Sequence, residues 1–347
     1  MILSHSQIAT YQRCPREHHY RYILRRRPRV EAHALRFGKL FDQALQAWWL
    51  AGPMFARDAA LAKLYELGRV EGTDPFDVAK ARALLLGYDV RWANQPLEVL
   101  RVQPQFRTPI RNPMGQPSTR FEIQGFLDAI VRDLRTREIV IVEGKTTSLE
   151  INPESSYWRT ITTLDPQIST YFDGARAILA EMGIRQEPAR AIYDVVRKPA
   201  LKPLKATPEE SRRYKKNSNE LYANQRITDE TPEEYEGRVL EEIFGQPMGT
   251  IPLTVDVERG LESSRRYYAR GDVVRLERDE IEHAEDVWQT AQIMRENLSI
   301  GRAPRYRGAC KRYGGFCPYF AVCLGLTSIE TFPMAQEEAK EEALKEL

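Results

Sequence analysis

Apolar and polar positions alternate most clearly in the middle of the chain, where two neighbouring segments are predicted to be β-strands. Residues 121–132 read FEIQGFLDAIVR, and residues 138–147 read EIVIVEGKTT. Both segments are rich in β-branched and apolar residues and are bounded by polar turn residues. The short link at 133–137 predicts that the two strands form a hairpin.

Apolar residues at helical spacing predict helices on both sides of this hairpin. Ser6 is expected to cap a helix that runs to about Leu24, and Asp165 followed by a proline is expected to begin a helix that runs to about Met182. Further helices are predicted at 37–50, 57–67, 76–93 and 281–298. Further strands are predicted at 97–109, 189–197, 250–259 and 272–275.

The composition is that of a soluble globular protein. The 347 residues, of which 42% are hydrophobic and 29% charged, are enough for a sizeable core in one large domain or two smaller ones. No run reaches the roughly 18 apolar residues of a membrane helix. The first residues lack the layout of a signal peptide, so we expect a cytoplasmic protein with reduced thiols and no membrane contact.

The charges of the 51 basic and 49 acidic residues nearly cancel, so the local distribution of charge is more informative than the net charge. Residues 11–29 contain seven arginines and one acid, with tyrosines between them. This segment either follows a phosphate backbone and stacks bases, or forms a solvated helix face with its aromatic side chains packed inward. Residues 198–240 are polar and are interpreted as a helical insertion or arm. Its basic part, 202–216, is read as solvated, and the acidic residues 335–347 as a tail.

The end of the predicted hairpin holds the candidate chemistry. Glu143 and Lys145 point to one face of their strand, Gly144 points to the other, and Asp128 is expected late in the preceding strand. Two carboxylates and a lysine at one sheet edge can hold a divalent metal and direct a water onto a phosphate. The alternative is a salt bridge that closes the sheet. Nucleotide binding by a P-loop is excluded, because Ile139 stands where that motif needs a glycine.

Cysteine is rare in this chain, and three of the four cysteines are close together near its end: Cys14, Cys310, Cys317 and Cys323. Four thiolates suit an iron–sulfur cluster or a structural zinc, and the irregular gaps disfavour a zinc ribbon. The alternative is four ordinary buried cysteines. If the four bind one group, they join the N-terminal helix to the C-terminal end of the chain.

Together these features resemble the RecB-type branch of the PD-(D/E)XK nuclease superfamily, and within it the iron–sulfur, exonuclease-like proteins of bacteriophages and prophages. The resemblance covers residues 4–325 in order and spacing. Its motifs are GFLD at 125–128 with EGK at 143–145, QISTY at 167–171, GKLFD at 38–42, and one early cysteine with three late ones.

The resemblance implies an α/β fold of the restriction-endonuclease type, with a mixed β-sheet flanked by helices, helical insertions and an iron–sulfur staple that joins the two ends of the chain. A single nuclease domain would occupy residues 1–334, before the tail. The implied parts are a helical region at 1–96, a catalytic sheet core at 97–197, the arm at 198–240 and the cluster region at 300–325.

The resemblance also implies the site residues. The ligands of Mg²⁺ or Mn²⁺ would be Asp42, Asp128, Glu143 and the Gly144 carbonyl. Lys145 would orient the attacking water and stabilise charge on the phosphate. Gln167 and Tyr171 lie one helical turn apart and would line the active site; alternatively, they are ordinary residues of an amphipathic helix. Cys14, Cys310, Cys317 and Cys323 would hold a 4Fe-4S cluster, with structural Zn²⁺ as the alternative.

The chain departs from the family pattern at two places. Asp42 stands where the branch usually has a metal-binding histidine, and His33 is the alternative ligand. A carboxylate suits a hard cation such as Mg²⁺. Six residues separate Cys310 from Cys317, where many members have two. Cys310 therefore fits the family spacing least well among the four implied cluster ligands.

The function implied is a metal-dependent DNA nuclease, an exonuclease that acts on DNA ends or single strands in recombination, repair or phage DNA processing. A phage-encoded protein would work in the host cytoplasm, beside a helicase or recombination protein. The alternative is a DNA-binding or assembly module that keeps the nuclease fold and a structural cluster but has lost cleavage. Polarity, strand preference and oligomeric state are left open.

Overall fold

The computed structural model describes residues 1–28, 33–216, 218–223, 225–245, 262–312 and 315–335. The strand predicted at 250–259 and nearly all of the acidic tail lie outside these ranges. In the part of the chain that is described, no helix is long and apolar enough to cross a membrane.

Ten strands are described. In chain order they are β1 (Ile2–Ser4), β2 (Leu97–Val102), β3 (Gln105–Arg111), β4 (Pro117–Phe126), β5 (Ala129–Asp133), β6 (Ile139–Thr147), β7 (Pro188–Arg197), β8 (Tyr268–Val273), β9 (Lys311–Arg312) and β10 (Gly315–Phe316).

The central sheet has five strands in the spatial order β2-β5-β6-β7-β8. Strands β6 and β7 are parallel, and the other neighbours are antiparallel. The hairpin predicted from the sequence is confirmed as β5–β6, with the turn closed by a hydrogen bond from the Asp133 amide to the Glu138 carbonyl (2.9 Å). A smaller sheet has the order β1-β4-β3, with β1 parallel to β4.

Two of the predicted strands are each divided into two shorter strands, and both divisions lie where the chain passes between the two sheets. The segment 121–132 is broken at Leu127 and Asp128 into β4 and β5, which belong to different sheets. The segment 97–109 divides into β2 and β3 in the same way. Asp128 therefore lies in the link between the two sheets and not late in a strand.

The helices are α1 (His5–Arg13), α2 (Pro15–His18), α3 (His33–Gly68), α4 (Pro75–Trp92), α5 (Ser156–Thr163), α6 (Pro166–Glu181), α7 (Pro232–Phe244), α8 (Glu277–Ser299) and α9 (Phe320–Cys323). The prediction for α6 is confirmed, because Asp165 caps it and Met182 ends it. The helices predicted at 37–50 and 57–67 are the two halves of α3, which bends at Gly52, where φ is 72°.

Two helical predictions need correction. Ser4, not Ser6, caps the first helix, and the helix stops at Arg13 because Cys14 is extended; α2 and a π-helical turn at His19–Ile23 follow. The arm predicted as helical at 198–240 is helical mainly in α7. Before α7 its described residues are irregular, apart from a 3-10 turn at Glu209–Ser211 and one isolated bridge.

The central sheet separates two apolar cores. Strand β6 shows the division, because Val140 and Val142 face the core shared with α3, α4 and α7, while Ile139 and Ile141 face the core shared with α1, α6 and α8. Alternation along β6 therefore places Glu143 on the α6 side and directs its neighbour Gly144 towards α3.

Gly125 of the GFLD motif has a packing role in this arrangement. A Cβ atom there would lie 2.9 Å from the ring of Phe106, and one at Gly174 of α6 would lie 2.6 Å from the same ring. The two glycines let the small sheet pack closely against α6, which carries Gln167 and Tyr171.

Candidate active site

The predicted site residues meet where β6 ends and the chain passes from β4 to β5. Asp128 is fixed by two hydrogen bonds in this link. Its Oδ2 accepts the Gly144 amide (2.7 Å), and its Oδ1 accepts the Gln103 side-chain amide (3.0 Å). The bond to Gly144 joins the carboxylate directly to the backbone of the strand that carries the other predicted groups.

Four side chains form a continuous chain of hydrogen bonds on the α6 face of β6. Lys145 Nζ donates to Glu143 Oε1 (2.5 Å) and to Gln167 Oε1 (2.7 Å). Gln167 Nε2 in turn donates to the Tyr171 hydroxyl (2.5 Å). The QISTY segment of α6 is thus in direct contact with the end of the hairpin.

Burial and charge set the protonation of these groups. Burial raises the pKa of Glu143 to about 8, and the Lys145 ammonium offsets this only in part. Burial also raises the pKa of Asp128, against the opposing hydrogen bond from Gly144. Burial on its own would lower the pKa of Lys145, but the neighbouring carboxylates, Glu143 first, outweigh it and raise that pKa. The lysine is therefore an ammonium ion at neutral pH.

Asp42 lies on the other side of β6. A small cavity on the α3 face is bordered by Asp42, Asp128 and Gly144. Gln46 Nε2 donates to Asp42 Oδ2 (2.8 Å). His33, the alternative ligand, lies at the start of α3, is largely exposed and pairs with Asp77 (2.9 Å). The structure therefore brings Asp42, and not His33, to Asp128.

The donor set matches a hard cation in its chemistry. Glu143 Oε2 is buried, and no hydrogen-bond partner for it is found in the described part of the chain. The Lys145 ammonium offsets only part of the cost of ionising buried Glu143 beside Asp128, and a bound cation would offset more of it. A Cβ atom at Gly144 would lie 3.3 Å from Asp128 Oδ2, so a larger residue would crowd this space. Over the described ranges, however, no three His, Cys, Asp or Glu side chains are grouped so as to hold a metal ion.

The four cysteines border one cavity. None of the four is in a disulfide within the described residues. Cys14 lies between α1 and α2, and the others lie near the C-terminal end of the described chain. Backbone contacts join the two ends, since the Arg16 amide donates to the Pro304 carbonyl (3.0 Å) and the Arg27 amide to the Pro333 carbonyl (3.0 Å). The thiols are neighbours, but, within the described residues, they too form no ready-made metal-binding group.

The arginine-rich segment is largely used for packing. Arg13 pairs with Glu17 (3.0 Å), and Arg16 and Arg26 donate to the backbone carbonyls of Ala303 (2.6 Å) and Phe332 (2.9 Å). Its tyrosines at positions 11 and 20 are buried. These contacts favour the reading in which the aromatic side chains pack inward.

Sequence reasoning missed three polar residues around the site. Gln103 binds Asp128 from the end of β2, and Asp165, predicted as a cap, also accepts a hydrogen bond from Tyr193 (2.6 Å). Asp194 borders the cavity beside Asp42. The signal for Asp194 was present in the sequence, because it is a lone carboxylate in the apolar strand AIYDVV. A larger surface cleft beside α6 and α8 contains none of the predicted site residues.

Comparison with known families gives one match. A model of the PD-(D/E)XK nuclease superfamily matches residues 2–324. A comparison with curated proteins found no match. The matched range includes the central sheet, both faces of β6 and all four cysteines. A mixed sheet flanked by helices fits the fold of that superfamily.

Proposed function

The chain belongs to the PD-(D/E)XK nuclease superfamily, and we propose that it is a RecB-type DNA exonuclease that requires Mg²⁺ or Mn²⁺. Membership of the superfamily implies metal-dependent hydrolysis of phosphodiester bonds in DNA. The finer assignment is supported by one observation above the others, the hydrogen-bonded chain from Glu143 through Lys145 and Gln167 to Tyr171.

Oxygen atoms from both faces of β6 would hold the cation. These are the carboxylates of Asp42, Asp128 and Glu143 and the carbonyl of Gly144, all of them ligands that suit Mg²⁺. When bound, the cation supplies Lewis acidity at the phosphate and a more acidic water. The raised pKa values of Asp128 and Glu143 support this role, because a divalent cation would favour the ionised forms.

Lys145 would act by charge and position and not as a free base. Its ammonium would orient the attacking water and stabilise negative charge that develops on the phosphate. Gln167 would hold the ammonium through its side-chain oxygen, and Tyr171 would hold Gln167. Gln167 and Tyr171 would also line the path of the DNA.

The cysteine cavity would hold a 4Fe-4S cluster, and a structural Zn²⁺ is the alternative. The arrangement of four cysteine side chains around one cavity supports a shared ligand. The cluster would join the helical N-terminal region to the C-terminal region within one nuclease domain at 1–334. We further propose a cytoplasmic role in recombination, repair or phage DNA processing, beside a helicase or recombination protein.

The test is digestion of 5′- and 3′-end-labelled single- and double-stranded DNA by anaerobically purified protein. We expect digestion from ends with Mg²⁺ or Mn²⁺ and none with a chelator, and the labels report polarity. DNA binding without digestion would instead support the DNA-binding or assembly module. An absorbance near 400 nm would support iron, and a colourless protein with one equivalent of zinc would refute it.

The same assay decides between Asp42 and His33. Asp42→Asn should lower the rate about 10²-fold at limiting Mn²⁺, because it removes a charged ligand beside Asp128. His33→Asn is the matched control and should leave the rate unchanged, since His33 lies away from the cavity. The reverse result would move the ligand assignment to His33.

A further inference from the structure

Asp194 lies in the middle of the apolar strand β7, directly beside the candidate site. It pairs in parallel register with Gly144 of β6. Its side chain is 1% exposed and borders the same cavity as Asp42 and Asp128. A carboxylate in such a strand needs partners, because burial of an unpaired charge is costly.

One oxygen of Asp194 is held firmly. Oδ2 accepts hydrogen bonds from the Tyr88 hydroxyl (2.6 Å) and from Arg270 Nη2 (2.7 Å). Arg270 is itself fixed, since its guanidinium lies 4.3 Å from the ring centre of Trp92 and donates to Gln95 (2.7 Å). Tyr88 and Arg270 thus determine where the carboxylate lies and which way it is turned.

The other oxygen, Oδ1, has no partner within the described residues. Oδ1 is buried, and no hydrogen bond to it is found across the described ranges. Since Oδ2 is taken by Tyr88 and Arg270, Oδ1 is the oxygen available to the cavity. Buried polar atoms are nearly always satisfied by protein, water or an ion.

A second buried aspartate of the central sheet, Asp133, forms an ion pair in which both carboxylate oxygens have partners. Asp133 is 4% exposed and pairs with Arg190 of β7 through Oδ2 (2.9 Å). Its Oδ1 accepts the Arg135 amide (2.9 Å), so both oxygens are satisfied. Asp194 differs in that one oxygen is left for a ligand.

We propose that Asp194 is a further cation-binding residue of the site, whose Oδ1 contacts the divalent ion directly or through one bound water. The proposal rests on the proposed function, since it concerns the same cation. Tyr88 and Arg270 are positioning residues, which act through the other oxygen. Their bonds to Oδ2 fix the carboxylate and leave Oδ1 for the cation.

The test is Mn²⁺ binding, followed by the electron paramagnetic resonance signal of free Mn²⁺. In Asp194→Asn the amide oxygen should stay at the Oδ2 position, because both neighbours donate there, and the NH₂ group should then face the cavity. We expect about 10-fold weaker Mn²⁺ binding or more. Asp133→Asn is the matched control, and its Mn²⁺ affinity should equal that of the unaltered protein.

Equal Mn²⁺ affinity in Asp194→Asn and the unaltered protein would overturn the proposal and leave a structural ion pair. If Asp194→Asn does not fold, Tyr88→Phe is the second variant. It removes one of the two hydrogen bonds that hold the carboxylate and should weaken Mn²⁺ binding about 3-fold or more. Unchanged Mn²⁺ affinity in Tyr88→Phe would overturn the proposal as well. If the unaltered protein digests DNA but Asp194→Asn binds Mn²⁺ normally, this inference fails alone. If the unaltered protein neither binds Mn²⁺ nor digests DNA, the proposed function fails too.

Discussion

The carboxylate site and the cysteine cavity were both predicted from short motifs, yet the protein builds them differently. At the carboxylate site, strand β6, helix α6 and the link before β5 supply the groups, and hydrogen bonds join Asp128 to Gly144 and Lys145 to Glu143 and Gln167. Around the cysteines, the groups come from an extended residue, a 3-10 turn, a loop and a short helix. Regular structure and hydrogen bonds thus arrange the first site, whereas short or irregular segments carry the thiols of the second.

This difference assigns separate tasks to the two regions. Substitutions at the carboxylate site should change the rate of DNA hydrolysis more than the stability of the fold. Substitutions at the cysteines should do the opposite, because the proposed shared ligand would tie together residues almost 300 positions apart.

The largest expected effect is at Lys145. Lys145→Met should lower the rate of DNA hydrolysis about 10³-fold, because it removes the ammonium that orients the water and stabilises charge at the phosphate. The measurement is single-turnover digestion with saturating Mn²⁺, together with thermal unfolding to show that the variant is folded.

Lys63→Met is the control for this variant, since Lys63 pairs with Glu66 (2.9 Å) on a helix surface away from the site. Its rate should match that of the unaltered protein. A Lys145→Met variant that keeps full activity would remove the lysine from the mechanism and weaken the contrast between the two regions.

The next effect concerns the cysteine cavity. Cys14→Ser should lower the free energy of unfolding by about 4 kcal/mol if a cluster closes the long loop as a disulfide would. Chemical denaturation under anaerobic conditions measures this loss. The rate of hydrolysis per folded molecule should change little.

Cluster-free protein provides the control for Cys14→Ser. There the same substitution should cost little, because no shared ligand is lost. An equal cost with and without the cluster would show that Cys14 acts through packing alone.

A smaller effect is the pH dependence at the helix that carries Gln167. His283 contacts the Thr170 hydroxyl (2.9 Å), and burial, with His5 and Arg275 nearby, lowers the pKa of His283 to about 4. The unfolded chain then binds a proton more readily than the folded protein does. The free energy of unfolding should therefore fall, by about 3 kcal/mol at most, as pH drops from about 6.5 to about 4. His283→Gln should flatten this slope in pH-dependent denaturation. An unchanged slope would assign the pH dependence to other groups.

The sequence was most informative where the structure depends on nearby residues. The β5–β6 hairpin and the capped start of α6 were predicted correctly, because turn residues, alternation and an aspartate–proline cap are local signals. That Gln167 would line the active site was expected only from the family resemblance, since its contact with Lys145 joins residues 22 positions apart.

The errors have a physical reason. Alternation gives the face of a side chain but not the partner of a strand, so the change of sheet at Asp128 was invisible in the sequence. The role proposed for Asp194 depends on Tyr88 and Arg270, which lie 106 and 76 positions away. Partners this distant leave no local pattern.

We propose that the carboxylates at the end of the hairpin bind the cation required for DNA hydrolysis. The most direct test compares Mn²⁺-dependent digestion of end-labelled DNA by the unaltered protein and by Asp128→Asn, with both purified anaerobically. We expect digestion by the unaltered protein and a rate at least about 10²-fold lower in a folded Asp128→Asn variant. Equal digestion by the two proteins would contradict it.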